Sequence, residues 1–96
     1  MKKTLAEAKP MIAEFHNALD VVLRKGNVKS GPEGRSTDGL IYVLSGRAHY
    51  TLDDESVDVR EGDLLYLRKA VHFLLNVQTD IYHVLLVNFS FMPEQG

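Results

Sequence analysis

The chain has 96 residues, enough for one small domain with one core, which excludes a multidomain enzyme or a receptor that carries its own effector part. With 45% hydrophobic and 25% charged residues the composition is that of a folded protein, not a disordered segment. Eleven Lys and Arg against thirteen Asp and Glu leave a net charge of -2, so the broad basic surface that phosphate contacts demand is missing. The absence of Cys removes disulfides, thiolate metal sites and a Cys nucleophile. No apolar run approaches the roughly 20 residues that span a bilayer. No apolar signal core follows Met1-Lys2-Lys3, so the expectation is a cytoplasmic protein without a membrane partner.

In chain order, residues 1–16 are expected to form a short helix or an arm. Thr4-Leu5-Ala6-Glu7 has the spacing of a capping box, and Ala, Glu and Lys dominate up to Pro10. From residue 17 to 92, short apolar runs broken by turn residues predict strands at 19–23, 40–44, 48–52, 57–59, 64–67, 73–77 and 81–91, hence an all-β sandwich or barrel. Residues 93–96 read as a tail at a truncation point. Between the first two strands, Gly26, Gly31, Pro32, Gly34 and Gly39 describe a long, mobile surface loop over 25–39. Turn chemistry at Ser45-Gly46, Asp53-Asp54 and Glu61-Gly62-Asp63 points to an antiparallel meander.

The strands differ in their patterning. Residues 47–52 alternate polar and apolar, as a sheet with one wet face requires, whereas 40–44 and 84–87 are apolar on both faces. A strand buried on both sides needs a second cover, supplied by a partner subunit, by missing chain, or by a second sheet on one face with an apolar ligand cavity on the other. The last strand places Tyr82, Val84, Leu86 and Asn88 on one face and His83, Leu85, Val87 and Phe89 on the other. If the first set lines the barrel, Tyr82 offers a ring for stacking and Asn88 an amide for hydrogen bonding, the mixture a small polar ligand needs. His16, His49, His72 and His83 are scattered and form no metal-ligand motif. Gly-x-Ser-x-Gly, His-Glu-x-x-His and phosphate-cradling loops are absent, and Asp53-Asp54-Glu55 lacks the later ligands of a calcium loop.

Tyr42-Val43-Leu44-Ser45-Gly46, then Glu61-Gly62-Asp63-Leu64-Leu65-Tyr66-Leu67, then His72 resemble the motifs of a cupin. More narrowly, Arg35 ahead of the 40–46 segment, the Gly-Asp turn and the closing Val87-Asn88-Phe89 resemble the N-terminal domain of AraC-type transcription regulators. The resemblance implies a small double-stranded β-helix, a jelly-roll barrel of two antiparallel sheets, which the short N-terminal helix expected from the capping box would precede.

It also implies where a catalytic metal would sit in an enzymatic cupin. The histidine positions fall on Glu33 and Arg35, or one residue earlier if the spacing is longer, and the glutamate position on Gly39, leaving only His72, so no metal and no cofactor are expected. Ala70 stands where the family usually has Gly. Arg35 and His72 are then expected at the barrel mouth, where Arg35 would grip a carboxylate or sugar hydroxyls. The function implied is the effector-sensing, dimerising and non-enzymatic domain of a regulator. It would bind a sugar or organic acid, pair as a homodimer, and reach DNA only through a C-terminal domain outside this chain. The alternative is a stand-alone cupin, acting as a small-molecule binding module or a metal-dependent enzyme.

Overall fold

The computed structural model describes residues 12–91, and these are all β. The strands are β1 (Ile12–Lys29), β2 (Asp38–Ser45), β3 (Arg47–Thr51), β4 (Ser56–Arg60), β5 (Leu64–Leu67) and β6 (Leu74–Phe91). Every pairing is antiparallel. β6 is shared: one edge pairs with β1 from Ile12↔Phe91 to Lys29↔Leu74, and the other meets β3 at residues 74–77 and β2 at residues 83–89.

The order β4-β3-β6-β2-β5, with β1 on β6, is a wrapped jelly roll and corrects the expected meander. Of the three turns, only Asp53-Asp54 joins paired neighbours, β3 and β4. Ser45-Gly46 is instead a corner. Gly46 has φ 92°, and the next N–H, that of Arg47, donates to Thr79 Oγ1 at 3.0 Å, so the chain passes from one half of β6 to the other.

Two predicted strands, 73–77 and 81–91, are one strand in the fold. Residues 78–80 stand opposite the single residue Lys25, since Arg24 pairs with Ile81 and Gly26 with Val77. This irregularity bends the β1/β6 ribbon where it crosses from one half-sheet to the other. β1 likewise extends beyond the predicted 19–23. Residues 12–16, expected in a helix or arm, and 25–29, expected in the loop, are strand, because β6 offers a ladder to segments whose own Ala, Glu and Lys favour strands weakly. The capping box at Thr4 lies outside the described residues. The connection left between β1 and β2, residues 30–37, is docked: Ser30 N–H donates to Phe73 O at 3.0 Å, Arg35 N–H to Val71 O at 3.0 Å, and Ala70 N–H to Arg35 O at 2.8 Å.

Val43, Ala48, Tyr50, Leu67, Val77 and Tyr82 are almost fully buried between the two half-sheets. Each such aliphatic side chain contributes about 1.5–3 kcal/mol of burial free energy. On the opposite face, Leu64, Tyr42 and Leu85 stand in one row across β5, β2 and β6 and remain exposed. The strands expected to be apolar on both faces are so. Among the described residues no helix is long and apolar enough to cross a membrane.

Candidate functional site

The half-sheets enclose a cavity of about 220 Å³. Val84, Leu86 and Tyr82 of β6 line it, so the even-numbered face of that strand points inward, and β1 adds Val21, Leu23 and Val28. Every lining side chain except Arg35, Tyr50 and Tyr82 is aliphatic or phenyl. The two phenols bond to each other, oxygen to oxygen, at 2.9 Å. Burial pushes both hydroxyls above the ordinary tyrosine range, so at neutral pH they are uncharged.

Arg35 follows the docked connection and enters the cavity wall half-buried. Nε donates to Thr37 O at 3.1 Å, and Nη2 donates to Asn88 Oδ1. Asn88 is itself steadied on β1, its Nδ2 donating to Asn17 Oδ1 at 2.8 Å. The guanidinium lies across Gly39, the position that the cupin resemblance assigns to a glutamate ligand. A Cβ on Gly39 would stand 2.7 Å from Nη2. Burial lowers the Arg35 pKa from its usual value, opposed by the charge of Asp38. Among the described residues no carboxylate pairs with Arg35 within salt-bridge distance. The nearby Asp38 is engaged elsewhere, accepting from Tyr66 Oη at 2.7 Å and from Lys69 N–H at 2.9 Å.

The expected site residues therefore separate. Arg35 and Tyr82 line the cavity, and Asn88 orients Arg35. His72 does not join them, because its exposed ring faces a surface cleft, with Nε2 3.0 Å from Pro32 O and Nδ1 3.4 Å from Asp53 Oδ1. His72 lies in the connection between β5 and β6, outside any strand, and its backbone N–H and ring are both held at that surface by Asp53 and Pro32. Sequence reasoning did not nominate Tyr50. The signal was available, since alternation puts Ala48 and Tyr50 on the core face of β3, and a phenol there needs a partner. His83, on the outer face, meets Asp20.

A catalytic metal does not fit these residues. Among the described residues no three His, Cys, Asp or Glu side chains converge. The space a glutamate ligand would enter holds a cation, which repels a divalent ion.

Together, the jelly-roll barrel and the motifs flanking its apolar lumen define an all-β protein of the double-stranded β-helix class. The sequence matches the family described as Cupin domain over residues 19–88, and the chain belongs to that family. Comparison with curated proteins gives no match. Among solved structures, the EutQ protein of Clostridium difficile superposes with TM-score 0.68 at 17% identity, covering 93% of this chain and 64% of its own. An RmlC-like cupin family protein of Methanocaldococcus jannaschii, described as a double-stranded β-helix, gives TM-score 0.68 at 21% identity, with 83% and 74% covered. Hydroxypropylphosphonic acid epoxidase of S. wedmorenis gives TM-score 0.64 at 18% identity, with 75% and 42% covered. These likenesses concern the fold. This chain spans less than two thirds of the EutQ chain.

Proposed function

We propose that this chain is a small-molecule binding cupin that holds its ligand in the barrel lumen and performs no metal chemistry there. The observation that carries the reading is the apolar cavity between the half-sheets, with one charged side chain, Arg35, among its lining residues. One fold neighbour is an epoxidase, but the shared fold hosts many activities, and chemistry depends on the donors present. Here the donors are a guanidinium and two neutral phenols. A small-molecule fragment screen followed through methyl resonances tests the reading. Perturbations are expected to cluster on Val21, Leu23, Val84 and Leu86, and hits clustering on the His72–Asp53 cleft would overturn it.

The narrower reading is an effector-sensing domain of an AraC-type regulator. The comparisons support the cupin family without reaching that subfamily, so this form rests on the motif resemblance alone. A coding frame that runs past Gly96 into two helix-turn-helix segments would favour it, and a frame ending at Gly96 would remove it.

A further inference from the structure

The lumen offers almost no polar groups, and at its edge stands the half-buried guanidinium of Arg35, without a described carboxylate partner. Even partial withdrawal of an ion from water is unfavourable unless a counter-charge or further hydrogen bonds replace the lost water. Arg35 has five N–H donors. Its Nε and Nη2 are directed to Thr37 and Asn88, and no described side chain or carbonyl accepts from Nη1. Thr37 and Asn88 thus hold the guanidinium plane in place and leave donors for an anion.

The rest of the wall limits what that anion carries. Tyr50 and Tyr82 already bond to each other, so a polyhydroxylated ligand would bury several hydroxyls without partners. A second negative charge would find no second cation in the wall, and Asp38 lies close enough to act electrostatically on Arg35. Size sets the last bound. An apolar cavity of about 150 Å³ holds benzene, so about 220 Å³ accepts one ring, or a branched chain of similar bulk, plus a carboxylate.

We infer that the lumen takes a small apolar monocarboxylate, its carboxylate on Arg35 and its hydrocarbon part against Val84, Leu86 and Leu23. This rests on the lumen being the binding site, and it excludes the sugars that the sequence alone leaves open. Arg35 is the specificity-determining residue, Asn88 its positioning residue, and Gly39 the position whose lack of a side chain makes room for the guanidinium.

The test is calorimetric titration of the full chain at constant ionic strength with benzoate, 3-methylbutanoate, the neutral isostere benzamide, and arabinose. At least one acid is expected to bind, benzoate at least tenfold more tightly than benzamide, and arabinose not measurably. Arg35→Gln is expected to abolish the benzoate preference while changing benzamide affinity less than threefold. The wild-type comparison of benzoate with benzamide decides the matter even if that variant does not fold. Nuclear Overhauser contacts from the bound ring to the Val84 and Leu86 methyls are expected to locate the ligand. Benzamide or arabinose binding in the lumen as tightly as the acids would overturn the carboxylate assignment and leave the lumen reading standing. No lumen contact from any of the four would overturn both.

Discussion

The guanidinium of Arg35 lies where a side chain on Gly39 would stand, with Nη2 2.7 Å from the position of the absent Cβ. The two residues are complementary, and a side chain at position 39 requires the arginine to leave. Because the displaced group is the end of a flexible chain, Gly39→Ala is expected to fold, at a cost of about 1 kcal/mol from the lost Asn88 hydrogen bond. The shifted Nε–H resonance of Arg35 checks the displacement; an unchanged resonance would contradict it.

Ala70 sits at φ 71°, a left-handed conformation that costs a non-glycine residue about 1–2 kcal/mol. It holds that geometry because its N–H donates to Arg35 O at 2.8 Å, docking the segment 30–37. Ala70→Gly relieves the strain and gives back about 0.4–1 kcal/mol in unfolded-chain entropy. The net expectation is a Tm higher by about 2–6 °C. A lower Tm in calorimetry would show that the methyl group packs usefully.

The Tyr50–Tyr82 hydroxyl pair is buried, so removing one oxygen strands the other. Tyr50→Phe and Tyr82→Phe are each expected to cost about 1–3 kcal/mol, and the double variant much less than their sum. Denaturant unfolding of the four proteins measures the coupling. Strict additivity would mean that the two hydroxyls act independently.

Three tyrosines make the fold sensitive to alkali. Burial raises Tyr50 and Tyr82, and burial with the hydrogen bond to Asp38 pushes Tyr66 up to about 12. Unfolded tyrosine ionises near pH 10, by general experience about two units lower than Tyr66 here. The folded state therefore retains protons that the unfolded state loses. The tyrosine contribution is fully present below about pH 10 and is lost as pH rises, by about 1.4 kcal/mol per unit for each retained proton. Thermal melts are expected to show Tm falling steeply above about pH 10, less steeply in Tyr66→Phe. A level Tm there would refute this.

Divalent ions provide a separate check on the lumen. Adding Fe(II), Mn(II) or Zn(II) to chelator-treated protein is expected to leave Tm unchanged, since a metal that binds only the folded state would raise it. A saturable increase would revive the metal-dependent alternative.

The barrel was legible because alternation and turn residues are local signals. Alternation from Tyr82 to Asn88 sorted β6 into two faces, of which the cavity takes the even one, whereas the unbroken apolar run of β2 asked for a second cover and that face is exposed among the described residues. The extent of β1 was not, because residues 12–16 and 25–29 are strand only by virtue of a partner some sixty residues away on average. His72 could not be placed by motif, since it lies in a connection between strands and its direction is set by Pro32 and Asp53, distant in sequence. Tyr50 had the right alternation, but its value comes from Tyr82 on another strand, which no local pattern reveals.

The pairing of β1 with β6 also orders events in time. Ile12 meets Phe91, so nearly the whole described chain must be made before β1 has its ladder. Such long-range closure is slow, and the wall carrying Val21 and Leu23 is the last that synthesis can complete. The same strand is held by β6 alone among the described elements, so peeling it breaks one ladder and leaves those of β2, β3, β4 and β5 intact. Local opening of β1 is therefore distinct from global unfolding, and amide exchange along β1 is expected to run ahead of exchange in β2.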